Sequence, residues 1–338
     1  MDSLSQAALG SAVGIAVMGR RTAVWKAALI GAAFGTLPDL DAFIDHGDPI
    51  RNMTFHRAAS HSLFYLTLLS PVLAWLTSKL SGGKQDFKHW LAAIWLILIT
   101  HVLLDFMTIY GTQMAIPFTD YPFGVGSIFI IDPLYTLPLL GGIIAALIFY
   151  RSSGLRWNAL GLSLSTVYLA WTVIAQWYVE NIVDDYLAQH QVDVEQRLVT
   201  ATPFNTLLWR VLVITPEGYG EGFYSLLDKT PQLNIKMFPR NEALFTAVRG
   251  NWGAERMAWF THGFFKMHED AGKLMITDLR MGQEPFYSFT FVVAEHVGDA
   301  WQEVTPEHIR ENPDIELALD WLERRIGGDV VDPPWLVE

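Results

Sequence analysis

The sequence predicts a polytopic α-helical membrane domain of about four to six membrane helices, followed by an acidic α+β extracytoplasmic domain. Two observations carry this. Of 338 residues 51% are hydrophobic and only 17% charged, and the charge is uneven: residues 1–178 hold 10 Lys and Arg against 9 Asp and Glu, residues 179–338 hold 13 against 26. The first stretch is also built of long apolar runs, while the second alternates short apolar runs with Gly- and Pro-containing turns. The expected domains are therefore 1–178 and 179–338.

Such an acidic second half argues against nucleic acid as a partner, because phosphate binding needs clustered basic side chains. There is no cysteine, which removes disulfides and Cys-ligated zinc but leaves a His/Asp metal site open. The start, MDSLSQAALGSAVG, lacks a basic leader region, so Asp2 is expected to stay in the mature protein.

Six apolar segments precede residue 180. Leu4 to Met18 and Val24 to Leu37 are short and rich in Ala and Gly, which suits close helix packing. Ser62 to Leu80, Trp90 to Tyr110, Pro133 to Tyr150 and Trp157 to Tyr178 are near the roughly 20 residues of a spanning helix. Arg20, Arg21 and Lys26, then Lys79, Lys84 and Lys88, then Arg151 and Arg156 fall in every second loop. The positive-inside rule makes those loops cytoplasmic and puts the N-terminus, the other loops and the acidic domain outside an inner membrane, although Arg51 and Arg57 go against this pattern. Beyond Tyr178 the helix is expected to continue through ENIVDDYLAQHQVDVEQRL. Strands are expected at 207–214, 273–279 and 287–297, and helices at Glu242 to Arg249 and Pro306 to Arg325.

On this topology the outer face collects the ionisable residues. The loop Thr36 to Ser62 holds Asp39, Asp41, Asp45, His46, Asp48, His56 and His61, and Asp2, Asp105 and Asp132 lie on the same side. Ionisable groups at a membrane edge point to function, because burying them unpaired is expensive. His101 and Asp105 are spaced i,i+4 in a helix and share a face; Asp39 and Asp41 are spaced i,i+2 in a turning loop after Pro38. His56 and His61 are five apart, with Ser60 or Ser62 capping the next helix and His61 in its first turn.

Each motif has a plainer alternative. His101 and Asp105 can simply bond each other between helices, Asp39 and Asp41 can cap a helix, and His56 and His61 can be surface imidazoles. Asp132 before Pro133 suits a helix N-cap. Asp45, His46 and Asp48 read as a solvated turn. Taken together, the metal candidates are Asp39, Asp41, His56, His61, His101 and Asp105, with Asp2, Gln6 and Asp132 as outlying ones. GxSxG, GxGxxG and Walker-type loops are absent.

Taken in order, MDSLSQAALG, PDLD (38–41), HRAASHS (56–62), HVLLDFMTIYGT (101–112) and FIIDPLYTLPLL (129–140) resemble the LexA-regulated, membrane-bound metal-dependent hydrolases, a family of bacterial and archaeal inner-membrane proteins. The resemblance covers roughly the first 150 residues and implies a metal-dependent hydrolase with Asp39, Asp41, His56, His61, His101 and Asp105 as its polar signature. Many members have Thr-His where this chain has Ser5-Gln6; if that histidine is a ligand in them, the site here must lose it or substitute Asp2 or Gln6. The pattern is also similar in kind to zinc-dependent phospholipases C.

The expected function is thus hydrolysis of a lipid or lipid-linked substrate, through one or two divalent ions, with zinc the expected metal. Asp39 or Asp41 would serve as bridge or general base and Arg57 would hold an anionic group. The competing reading is a metal transporter or sensor that binds ions and cleaves nothing; a third is a membrane anchor for the acidic domain.

Overall fold

A computed structural model describes residues 1–80, 86–149, 151–230, 233–311 and 313–336. Lys84 and Tyr150, used above to mark a basic loop and a helix end, lie outside the described residues. The chain divides into two compact units: Met1–Ile44, Phe55–Val173 and Pro203–Asn205 form the first, and Asp45–Thr54, Ile174–Thr202 and Thr206–Glu338 the second.

The first unit is helical. Helix α1 (Ser3–Met18) starts where the Asp2 carboxylate accepts the backbone N–H groups of Leu4 and Ser5, both at 3.0 Å. Helix α2 (Val24–Thr36) ends before Pro38, and a 3₁₀ turn, Pro38–Phe43, follows. Helix α3 (Pro49–Phe55), a second 3₁₀ turn (Ala59–His61), α4 (Leu63–Leu80), α5 (Phe87–Phe106), α6 (Pro133–Ile148) and α7 (Arg151–Gln189) come next. Among the described residues, three helical stretches are long and apolar enough to cross a membrane: Leu63–Leu80, Phe87–Phe106 and Ser153–Gln189; α1, α2 and α6 are shorter apolar helices.

Glycines set the α1–α2 distance. A Cβ built on Gly31 would lie 2.2 Å from the Gly10 carbonyl oxygen, and one on Gly35 would lie 2.6 Å from that of Gln6. Small residues that let backbones touch drive helix association where no hydrophobic gain exists. Gly31→Val places its side chain against backbone that cannot retreat. It is expected to cost more than ~3 kcal/mol and to broaden the size-exclusion peak in detergent. Gly141→Ala, with nothing within 4 Å of its Cβ, is expected to change neither.

Helix α5 runs through the core of this unit. Its buried positions Trp90, Ala93, Ile94, Ile97, Leu98, His101 and Asp105 follow the three-and-four spacing of one helical face. The apolar stripe therefore turns ionisable at its C-terminal end. Apolar side chains of α1, α2, α4 and α6 close around the rest of it.

The second unit is α+β. Strands β1 (Gln196–Ala201), β2 (Leu208–Thr215), β3 (Gly218–Ser225) and β4 (Ile235–Phe238) form an antiparallel sheet in that order. The end of α7 packs on it through Ala175, Val179, Val183 and Leu187, one face at four-residue spacing. Helices α8 (Glu242–Ala247) and α9 (Trp252–Phe260) lead to β5 (Phe265–Asp270), β6 (Lys273–Asp278), the hairpin β7 (Gly282–Gln283) and β8 (Phe286–Tyr287), β9 (Thr290–Val297) and β10 (Ala300–Ile309). The second sheet is ordered β10-β9-β6-β5. Residues Asp45–Thr54 belong here, with the Arg51 guanidinium 4.5 Å from the Trp252 ring centre and Thr54 Oγ1 accepting from Arg256 Nε at 3.0 Å.

Two sequence expectations need correction. The helix continuing from segment six stops at Gln189, and Gln196 to Leu198 are already strand. Residues 306–309 are strand, not helix: Pro306 sits at the register shift between Glu303 and Glu307, where a missing N–H is tolerated. The expected helix begins only at Ile315, as α10 (Ile315–Ile326), where Asp314 caps the Glu316 and Leu317 N–H groups.

Candidate metal centre

Four side chains of the first unit converge: Asp39 from the 3₁₀ turn after α2, His61 from the turn before α4, and His101 and Asp105 from the last turns of α5. One ligand atom from each lies within 4.8 Å of the others, a group that can hold a metal ion. His61 Nε2 is 3.1 Å from His101 Nε2, 3.1 Å from Asp105 Oδ2 and 3.4 Å from Asp39 Oδ1; His101 Nε2 is 3.3 Å from Asp105 Oδ2 and 3.6 Å from Asp39 Oδ1.

Hydrogen bonding behind the ligands fixes which atoms face inward. His101 Nδ1 lies 2.7 Å from the Gly35 carbonyl oxygen, which can only accept, so the proton is on Nδ1 and Nε2 keeps its lone pair. Ser60 Oγ donates to Asp41 Oδ2 and is 2.9 Å from His61 Nδ1; having given its proton away, it accepts from Nδ1–H. His61 therefore also presents a bare Nε2. Outer partners that set a histidine tautomer this way are a regular part of metal sites.

Asp105 is asymmetric in the same sense. Its Oδ1 receives the Met1 amino group, Gln6 Nε2 at 3.1 Å and an Arg57 guanidinium nitrogen at 3.2 Å. Its Oδ2, like Asp39 Oδ1, has no hydrogen-bond donor among the described residues. The four inward atoms are thus all acceptors, three of them on side chains 0 to 1% exposed. Acceptors crowded together without a donor need a cation. With a proton on Nε2 in place of a metal, His61 would donate to Asp105 Oδ2 and Asp39 Oδ1, and those bonds raise its pKa above the usual value although burial alone would lower it.

Asp41 and His56 stand outside this group. His56 Nδ1 meets Asp41 Oδ1 at 2.7 Å, and Asp41 Oδ2 also accepts the Arg57 N–H at 3.0 Å. Burial would raise the Asp41 pKa, yet the bonds from His56 and Ser60 push it down to about 2. Asp41 is thereby a support that orients Ser60, His56 and the Arg57 backbone. Asp2 and Asp132 are helix N-caps: Asp132 Oδ1 accepts Leu134 and Tyr135 N–H groups, and its Oδ2 accepts the Tyr168 hydroxyl at 2.8 Å. Gln6 touches Asp105 from behind and not the central atoms. Asp45, His46 and Asp48 form a turn in the second unit, with Asp45 exposed and His46 and Asp48 half-buried.

Arg57 is buried, 5% exposed, and takes a positive φ of 62°. That conformation is unfavourable for a residue with a Cβ, and two bonds hold it: Arg57 N–H to Asp41, and Gln113 N–H to the Arg57 carbonyl at 2.9 Å. Its guanidinium lies beside Asp105, donates to Thr108 Oγ1 at 3.3 Å and covers the Tyr110 ring, while Nε has no acceptor among the described residues.

His61 departs from the sequence expectation. It closes the 3₁₀ turn ahead of α4, and Ser62 takes the cap position, accepting the Tyr65 N–H at 3.1 Å. Sequence reading missed Ser60 and the Gly35 carbonyl as outer partners. The available sign was Gly31-xxx-Gly35, whose small residues bring α2 close to its neighbours.

Comparison with known proteins agrees with a membrane setting. The chain is similar to the uncharacterized protein YfhP of Bacillus subtilis strain 168, 24% identical over 321 residues that cover 88% of this chain and 91% of that one, so the likeness runs well beyond the helical part. No solved structure matches. Residues 1–179, which carry all four converging side chains, match the model of the YdjM inner membrane protein family, and the chain belongs to that family.

Proposed function

We propose that this protein is a metal-dependent hydrolase of the inner membrane, acting at the membrane's outer surface on a phosphoester or similar bond of a lipid or lipid-linked substrate. The single observation that carries the metal is the donor-free set of four acceptors. Its spacing supports zinc: four ligands about 2.0–2.2 Å from Zn²⁺ at tetrahedral angles stand about 3.3–3.6 Å apart, against the 3.1–3.6 Å between His61, His101 and their carboxylate neighbours. The resemblance of the HRAASHS and HVLLD stretches to LexA-regulated membrane-bound hydrolases supports the reaction class.

A divalent ion held there supplies Lewis acidity and water activation near neutral pH. Closed sets of four protein ligands are structural, whereas catalytic zinc keeps one position open. Asp39 is the residue suited to yield: its side chain is 16% exposed and its distances are the longest of the set. His61, His101 and Asp105 would then remain as holders, and Asp39 would take the proton from a water that attacks the phosphorus. Asp39 would then return that proton to the leaving oxygen as its bond to phosphorus breaks, releasing the alcohol, and Arg57 would balance the charge on the phosphoryl oxygens.

The test separates Asp39 from the holders. Asp39→Asn is expected to retain bound metal in elemental analysis of the purified protein and to lose hydrolysis in a screen of total lipid extract. Equal activity in the variant would sink the general-base role. A transporter would instead move radioactive zinc into proteoliposomes; the polar side chains lie at one end of α5 rather than near its middle, which is unlike a transport pathway.

A further inference from the structure

The 3₁₀ turn that carries Asp39 and Asp41 has a second face. In a 3₁₀ helix residues i and i+3 eclipse, so Leu40 and Phe43 point the same way. Both are exposed, 53% and 86%, and Ile44 beyond them is 56% exposed. Leaving such side chains in water forfeits about 1.5–3 kcal/mol each. A short turn whose acidic side chains are drawn inward by histidines therefore holds three large apolar ones outward.

The level of this turn is set by the two helices beside it. His61 precedes the first residue of α4 by two positions, and Asp105 is the penultimate residue of α5, so the ligands mark where both candidate spans end. Phe118, 79% exposed, packs edge-on against Phe64 in the first turn of α4, ring centres 5.6 Å apart. A second exposed aromatic thus extends the apolar surface of a span at the same end. Aromatic and apolar side chains at that depth belong among lipid headgroups and upper acyl chains.

We infer that Leu40, Phe43 and Ile44, with Phe118, form a lipid-inserted rim, continuous with the bilayer-facing surface of α4, and that the occupant of this rim is the acyl chains of membrane lipids. The metal-bearing turn is then anchored by the lipid itself, and a substrate reaches the centre from the bilayer with its chains against the rim. The part concerning substrate rests on the hydrolase proposal; the insertion does not.

Because the chain has no cysteine, a single nitroxide can be placed at will. Full-length Phe43→Cys, Phe118→Cys and, as a water reference on the β9–β10 turn, Asp299→Cys would be labelled in vesicles of phosphatidylethanolamine and phosphatidylglycerol. Labels at 43 and 118 are expected to collide with oxygen and to be shielded from a water-soluble nickel chelate, with the reverse at 299. Nickel collisions at 43 equal to those at 299 overturn the insertion, whatever the enzyme does. Leu40→Ser/Phe43→Ser is expected to keep its metal, to lose about tenfold in hydrolysis of long-chain lipid in vesicles, and to turn over a short-chain soluble ester of the same headgroup as before. Equal loss on both substrates overturns the route from the bilayer. If the unaltered protein cleaves neither ester, the hydrolase proposal fails while the labels still decide insertion.

Discussion

Alanine at His101 or at Asp105 is expected to empty the centre and to end hydrolysis together. Each residue supplies one of the four inward acceptors, and among the described residues no further His, Asp or Glu joins the group. For Asp105 the damage is compounded, because its removal leaves the Arg57 guanidinium and the Gln6 amide without the oxygen they share. Metal content by elemental analysis should fall to background and turnover by more than about 10³-fold, beyond the 10- to 100-fold that outer partners are worth. Asp41→Asn is the contrast. It weakens the bonds to Ser60 and His56 without deleting a ligand, and should stay within that smaller range. Full metal occupancy and unchanged activity in both alanine variants would remove the site altogether.

Glu221→Ala should strongly destabilise the second unit. Glu221, 3% exposed, accepts Arg210 Nε at 2.8 Å and the Glu284 N–H at 3.1 Å, and Arg210 is itself 4% exposed. Truncation leaves a buried guanidinium whose remaining bond in this network is to the Leu279 carbonyl, at 2.7 Å. Breaking one side of a buried pair costs about 3–5 kcal/mol, while replacing both sides by apolar residues is near neutral. The full-length variant should therefore lose about 10 °C in the melting of this unit, read by protease sensitivity, and Arg210→Met/Glu221→Leu should recover most of it. Metal content should not move, since the four ligands all lie in the first unit.

How far these sites were legible depends on the range of the signal. The stripe from Trp90 to Asp105 is local: seven buried positions at helical spacing place His101 and Asp105 on one face before any neighbour is known. The separation of Asp39 from Asp41 was not legible. Two residues apart in a turn, they look equivalent, and only the packing of Ser60 and His56 assigns one inward and the other to support. His61 was misplaced by one turn because Ser60 and Ser62 are equally good caps on paper. In the second unit, β2 and β6 were readable as apolar runs, whereas Pro306 hid in β10 because a bulge excuses the residue that normally breaks a strand. Asp2 and Asp132, drawn in by a rule about charge near membranes, have the ordinary duty of starting helices.

The four facing acceptors also bear on how much of this protein a cell can keep. A ligand bound only by the folded chain raises stability by mass action, about 2.7 kcal/mol at a hundredfold excess over its dissociation constant. Here the same ion would tie together side chains that come from three separate stretches of sequence. Maturation and metal supply would then be one event, and chains made during scarcity would go to membrane proteases rather than accumulate idle.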